Sequence, residues 1–181
     1  MSATITILNG SSLVRPPELE AIAVNIRGIY GSPVRSVRTE FELRQAHDSA
    51  RGQYNSTLLL AALHPVTGTG DPKQIGLVDV DLFIPVLTFV FGEAQFEGPS
   101  AIVSTHRLSN QYYGLPRNHD LLLERIEKEL IHELGHTFGL YHCRQFECVM
   151  RSSTYVEEID LKKALPCPDC SARILELPAR D

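Results

Sequence analysis

The apolar positions of the chain recur with different periods in different stretches, and each period predicts an element. Thr4 to Leu8 is a β-branched run suited to a buried first strand, and Asn9, Gly10, Ser11 and Ser12 after it read as a turn. Leu19, Ile22, Ile26 and Ile29 then recur at helical spacing, with Pro17 in the first turn and Gly31 closing the helix. Val37, Thr39, Phe41 and Leu43 alternate with Arg38, Glu40 and Glu42, the period-two pattern of a strand with one solvated face that pairs with the first strand. Tyr54 to Leu63 has a leucine-rich face and predicts a second helix, followed by turn residues from Gly68 to Pro72. Ile75 to Leu82, Leu87 to Phe91 and Ala101 to Thr105 are apolar runs broken by Pro, Gly and Glu, as in a twisted sheet. A longer helix opens near Asn118 or Asp120, either of which can cap it, and carries Leu122, Ile126, Leu130 and Leu134 inward. On it, Glu124 and Lys128 stand in register as a solvated pair worth about a few tenths of a kcal/mol.

That last helix carries the chemistry. It contains His132-Glu133-Leu134-Gly135-His136-Thr137-Phe138-Gly139-Leu140-Tyr141-His142. His132 and His136 are four residues apart, so their rings leave one face of a helix and can meet one metal ion, with Glu133 beside them. Gly139 can take the left-handed conformation that ends a helix, which lets the chain turn and bring His142 to the same ion. Three imidazoles leave one position open, where a structural zinc site would close all four. Water at such a position is acidified towards a pKa of about 7, which makes it a nucleophile and makes Glu133 its general base. An amphipathic helix with two surface histidines would explain HExxH alone, but not the added Gly139 and His142.

The chain has four cysteines, Cys143, Cys148, Cys167 and Cys170, spaced as a pair separated by four residues and a pair separated by two. With no secretory signal at the start of the sequence, thiolate ligation of zinc is favoured over disulfides. The competing readings are a redox CxxC pair and two disulfides in an exported protein. A mixed site in which His142 joins three cysteines would leave the helix histidines with only two protein ligands. Because His142 and Cys143 are adjacent, the two candidate sites share one segment.

The three-histidine motif resembles that of the metzincin metalloproteases, named for a methionine turn beneath the zinc, and Met150 stands eight residues after His142 to serve it. The run from His132 through Met150 to Cys167 and Cys170 resembles the archaemetzincin signature more specifically, as do Arg51-Gly52-Gln53-Tyr54-Asn55 and Phe89-Val90-Phe91-Gly92-Glu93-Ala94 upstream. This resemblance implies an α+β fold. It consists of a mixed twisted sheet with helices on one side, an active-site helix, and a small zinc-stapled C-terminal subdomain. Residues 1–139 would form the larger part and 140–181 the smaller, within a single metallopeptidase domain spanning 1–181. It also implies two zinc ions per chain, a catalytic one on His132, His136 and His142 and a structural one on the four cysteines. Phe89 to Ala94 becomes the edge segment along which an extended peptide would add as one more strand, the even alternative being a buried central strand with no free edge. Tyr141 and Tyr155 could each supply a hydrogen bond to the tetrahedral intermediate, although packing beside the ligand loop is the better account of Tyr141, and Tyr155 is scarcely stronger.

Composition narrows the setting. At 181 residues and 43% hydrophobic content the chain fits one globular domain, and its net charge of -5 argues against nucleic acid as a partner. Its longest apolar stretch, Leu82 to Phe91, contains Pro85 and falls short of the roughly 20 residues a membrane helix needs. A cytoplasmic monomer acting on peptides is expected, with no cysteine before Cys143 to block the site as a propeptide thiol. The alternative from another class is a zinc-binding scaffold that keeps the fold and hydrolyses little, against which the intact Glu133 argues. Substrate preference, and the choice between trimming N-termini and internal cleavage, are not written in the sequence.

Overall fold

The computed structural model describes residues 4–63 and 72–176. In chain order the elements are β1 (Ile5–Asn9), α1 (Pro16–Tyr30), β2 (Val34–Arg38), β3 (His47–Asp48), β4 (Gln53–Asn55) and α2 (Ser56–Ala62). They continue with β5 (Lys73–Val78), β6 (Leu82–Phe83), β7 (Gly92–Ala94), β8 (Ser100–Ser104), α3 (His119–Thr137), α4 (Val156–Asp160) and α5 (Pro168–Glu176). The main sheet runs β2-β1-β5-β8-β7. Its first four strands are parallel, and β7 closes the order antiparallel to β8. A smaller sheet has the order β3-β4-β6.

Side-chain alternation sorts the main sheet into two faces. Ile5, Ile7, Ile75, Leu77, Ala101 and Val103 share one hydrophobic cluster with Leu19, Ile22 and Ile26 of α1 and with Leu122, Ile126, Leu130 and Leu134 of α3. The next residues in register, Val78 and Ile102, join a second cluster with Leu59 and Leu60 of α2. The expected mixed sheet is therefore present, but the helices are not all on one side: α2 and the small sheet cover the opposite face. The segment after α3 belongs to the first cluster through Leu140, Val149, Met150, Val156, Ile159 and Ile174. Arg125 of α3 fastens it by a two-pronged bond to Asp160, 2.7 Å at each prong.

Helix boundaries follow the chemistry of their caps. Gly31 ends α1 at φ +61°, as its position predicted, and the Asn118 side chain accepts from Leu121 N to open α3. Elsewhere the sequence pattern misleads. The alternating stretch from Val37 to Leu43 is a strand only as far as Arg38, because the ring of Phe41 folds over Gly10 and Gly76 and fills the space two absent side chains leave. The pairing with β1 is as expected. Leu87 to Phe91 does not form a strand of the main sheet: a turn after Pro85 takes it out, and only Val90 bridges to Leu82. Lys128 is buried rather than solvated, and its ammonium approaches the Asp160 carbonyl at 3.4 Å instead of pairing with Glu124. The turn expected from Gly68 lies outside the described residues up to Asp71. No described helix is long and apolar enough to cross a membrane.

The cluster shared by sheet, α1 and α3 carries the fold's main apolar burial, so its centre should be sensitive to truncation. Leu130→Ala, at a fully buried position of α3, should lower the unfolding free energy by about 2–5 kcal/mol in chemical denaturation.

Candidate metal centre and cleft

The last two turns of α3 set the geometry. His132 and His136 lie one turn apart, and each ring is held from behind: His132 Nδ1 is 2.8 Å from Val149 O and His136 Nδ1 is 2.7 Å from Leu140 O. A carbonyl oxygen only accepts, so Nδ1 of each ring carries the proton and donates it, leaving Nε2 as a lone pair aimed into the cleft. Gly139, at φ +85°, reverses the chain, and a side chain there would strike Glu97. After that turn His142 comes round to face both rings, its centroid 5.3 Å from His132 and 4.8 Å from His136.

The three imidazoles fit a metal ion. His132 Nε2 and His136 Nε2 stand 3.1 Å apart, too close for two facing lone pairs unless a cation lies between them. Tetrahedral zinc with Zn–N of about 2.0–2.1 Å would space its ligand nitrogens by about 3.3 Å. Burial depresses the pKa of His132, His136 and His142, and the Lys162 ammonium presses on all three. Each ring is thus kept in the neutral form that binds a metal.

The four cysteines form a second cluster, all ligand atoms within 4.8 Å of one another. Cys143 Sγ to Cys167 Sγ and Cys148 Sγ to Cys170 Sγ are both 3.8 Å. That is far beyond a disulfide bond, and close to the sulfur–sulfur edge of about 3.8 Å in a zinc tetrahedron with Zn–S near 2.3 Å. The Cys167 amide donates to Cys148 Sγ at 3.2 Å and the Gln145 amide to Cys143 Sγ at 3.4 Å. Burial pushes the Cys148 and Cys170 thiols up. At Cys167 burial acts the same way, but hydrogen bonds from Cys170 and its neighbours outweigh it and the thiol is lowered. A divalent cation is the natural partner for such a group. The two clusters are joined through the backbone, since the Cys143 amide donates to Met150 O at 2.9 Å.

Met150 is fully buried beneath this site. Its sulfur would overlap a Cβ on Gly135, so the glycine between the two helix histidines makes room for the methionine. Sequence reasoning placed Met150 below the metal but gave Gly135 no task. Gly92 of β7 fell within the nominated edge segment but was given no role of its own; a Cβ there would come within 2.7 Å of Glu133 Cγ. Glu133 lies directly against that bare backbone, at the wall of a cavity of about 430 Å³ lined by the three histidines, Glu133, Gly92 and the loop from Leu87. Burial raises the Glu133 carboxyl well above the usual range, helped by Glu129 and Glu93 and opposed by Lys162. Glu129 and Lys162 line the same cavity and carried no helix-period or motif signal. Tyr141 is exposed and packs on Phe96, with ring centroids 4.5 Å apart, and Tyr155 is the exposed N-cap of α4. Neither lines the cavity.

The Gly135–Met150 contact predicts a sign reversal. Gly135→Ala should destabilise the zinc-loaded protein by about 1–3 kcal/mol through overpacking. In a Met150→Ala background the same change should stabilise it by up to about 1 kcal/mol, the helix preference for alanine over glycine. Denaturant unfolding of the four proteins measures both.

Comparison with known proteins places this geometry in a family. The profile of Peptidase family M54 matches residues 18–176. The archaemetzincin of Methanocaldococcus jannaschii is 42% identical over 129 residues, covering 71% of this chain and 70% of that protein. The archaemetzincin of Archaeoglobus fulgidus is 33% identical over 156 residues, covering 86% of this chain and 90% of its own length. Among solved structures, archaemetzincin from Methanopyrus kandleri superposes with a TM-score of 0.85 at 32% identity, over 99% of this chain and 97% of that one. A zinc-dependent peptidase from Methanocorpusculum labreanum gives 0.82 at 27% identity, over 94% and 99%. The chain belongs to Peptidase family M54, the archaemetzincins.

Proposed function

We propose that the protein is a zinc-dependent metallopeptidase in which His132, His136 and His142 hold the catalytic zinc, Glu133 is the general base, and Cys143, Cys148, Cys167 and Cys170 hold a structural zinc. The observation that carries the reading is the placement of Glu133. It is the residue between convergent, neutral imidazoles and a cleft wall of bare backbone, and it has no ligand role of its own. Zinc held by the three histidines would supply Lewis acidity, lowering the pKa of water and polarising a substrate carbonyl. Glu133 takes the proton from the attacking water and returns it to the leaving amine nitrogen as the peptide bond breaks.

Among the described residues β7 has a strand partner on one side only in the main sheet order, and Gly92 opens onto the cavity. Its free edge suits an extended peptide, whose backbone would pair with it as a further strand while few side-chain pockets select sequence. The nominated segment from Phe89 narrows to Gly92–Ala94 for this purpose, with Phe89 and Val90 in the loop that walls the cleft. The reading includes a cytoplasmic monomer with a peptide partner and no nucleic acid, in keeping with the net charge of -5.

A diverse peptide library incubated with zinc-loaded protein and read by mass spectrometry tests the reading. Cleavage by the wild type, reduced at least about 100-fold in Glu133→Ala with zinc content unchanged, is the expected result. No cleavage with both zinc ions bound would favour the scaffold alternative, and loss of zinc from Glu133→Ala would refute the role given to Glu133. The shared segment predicts coupling between the two sites. Cys167→Ser should weaken zinc at the three histidines by about 10- to 100-fold in a chelator titration, because Val149 and Met150 lose the brace that positions His132. Unchanged affinity would contradict it.

A further inference from the structure

The floor of the cleft holds a charged pair that the hydrolytic reading leaves without a task. Glu129 stands on α3 one turn before Glu133, Lys162 follows the end of α4, and both line the cavity of the three histidines. Their side chains are 4% and 1% exposed, yet Lys162 Nζ stops 3.7 Å from Glu129 Oε1, outside hydrogen-bond distance. Among the described residues Glu129 Oε1 has no hydrogen-bond partner, and neither does the buried Oγ of Ser153 on the same cavity wall. Buried polar groups are nearly always satisfied, and a buried ion pair offsets its desolvation only with close contact and further hydrogen bonds. Arg125 and Asp160 show how this chain builds a pair for structure alone: two bonds of 2.7 Å, with Arg125 bonded as well to Leu108 O at 2.8 Å and Asn110 Oδ1 at 2.9 Å. The Glu129–Lys162 pair has none of that closure, and its loose end faces the space where substrate would sit.

We infer that Lys162 binds a carboxylate of the substrate, with Ser153 Oγ as a second donor, in the subsite beside the bond that is cleaved. The inference rests on the peptidase reading for what the substrate is, but not for the presence of the anion site. An ammonium has three donors and no acceptor, and with its side chain 1% exposed it favours a full negative charge over a neutral carbonyl. Glu129 holds the ammonium from one side and leaves its other donors to the ligand. With a divalent ion on the histidines, the cleft as a whole carries a net positive formal charge, which favours an anionic group. Two parts of a peptide supply such a carboxylate: an acidic side chain next to the scissile bond, or the free C-terminus of a short peptide.

Calorimetric titration of the zinc-loaded protein with succinate and with its monoamide, succinamate, tests the site without turnover. Both probes keep one carboxylate for the metal and differ only in the charge of the other end. Wild type should bind succinate at least about tenfold more tightly. Lys162→Gln should bind the two alike and Lys162→Arg should keep the preference, the variants being compared at equal zinc content. Equal affinities in the wild type overturn the inference whatever the variants do, as does a preference that survives Lys162→Gln. Cleavage of peptide pairs then separates the sources. A Lys162-dependent preference for Glu over Gln within the peptide assigns the side chain, and one for a free over an amidated C-terminus assigns the chain end. A dependence in neither pair overturns the substrate-carboxylate assignment. Absence of all cleavage in the wild type overturns the peptidase reading instead, and the calorimetric comparison still decides the anion site.

Discussion

The site depends on two hydrogen bonds from imidazole to backbone. His132 and His136 each spend Nδ1 on a carbonyl of the segment that follows α3, Val149 O and Leu140 O, and this fixes both the tautomer and the aim of Nε2. A helix alone could bring the two rings to one face, but each would rotate freely about its side chain. The bonds fix that rotation, and they make residues 140–150 part of the site rather than a tail beyond it. The other contacts of this region serve the same junction. Gly135 gives Met150 space under the helix, Gly139 reverses the chain at φ +85°, and the Cys143 amide on Met150 O closes the loop that carries His142.

The sheet supplies the opposite wall. β8 presents Ala101 and Val103 to α3 on the core side, and Gly92 of β7 stands across from Val103 in register. Because Gly92 has no side chain, Glu133 can lie flat against the strand and reach the cleft instead of being pushed away from it. β7 is also the last strand of the main sheet among the described residues. The missing Cβ places the candidate base against the strand, and the strand's terminal position leaves peptide groups of β7 open beside it.

How much of this was legible depends on whether the signal was local. Motif spacing along one helix and its cap places His132, Glu133, His136, Gly139 and His142 together, since their relative positions follow from helical geometry and one left-handed residue. Spacing along the chain keeps Cys143 near Cys148 and Cys167 near Cys170, whereas the meeting of the two pairs was legible only through the preference of four thiols for one zinc ion. What the sequence could not disclose were positions whose role is the absence or burial of a side chain against a distant element. Gly92 and Gly135 are ordinary glycines until β7 and Met150 are placed. Lys162 and Glu129 look like surface charges, because no period marks a buried pair drawn from α3 and the turn after α4. The failure at Val37 to Leu43 has the same origin. Alternation over that stretch is real, but Phe41 answers to the glycine gap on the sheet face and not to the strand ladder.

One short segment after α3 ties together two side-chain clusters, three imidazoles on one side and four cysteine sulfurs on the other, each of which could hold a metal ion. A crystal structure of the protein grown with zinc, with anomalous diffraction recorded at the zinc edge, tests most directly whether both are zinc sites. The expectation is two peaks per chain. One lies about 2.0 Å from Nε2 of both His132 and His136 and from a ring nitrogen of His142, and the other about 2.3 Å from the four cysteine sulfurs. A single peak, a disulfide between any of the cysteines, or a zinc shared between His142 and the thiols would contradict it.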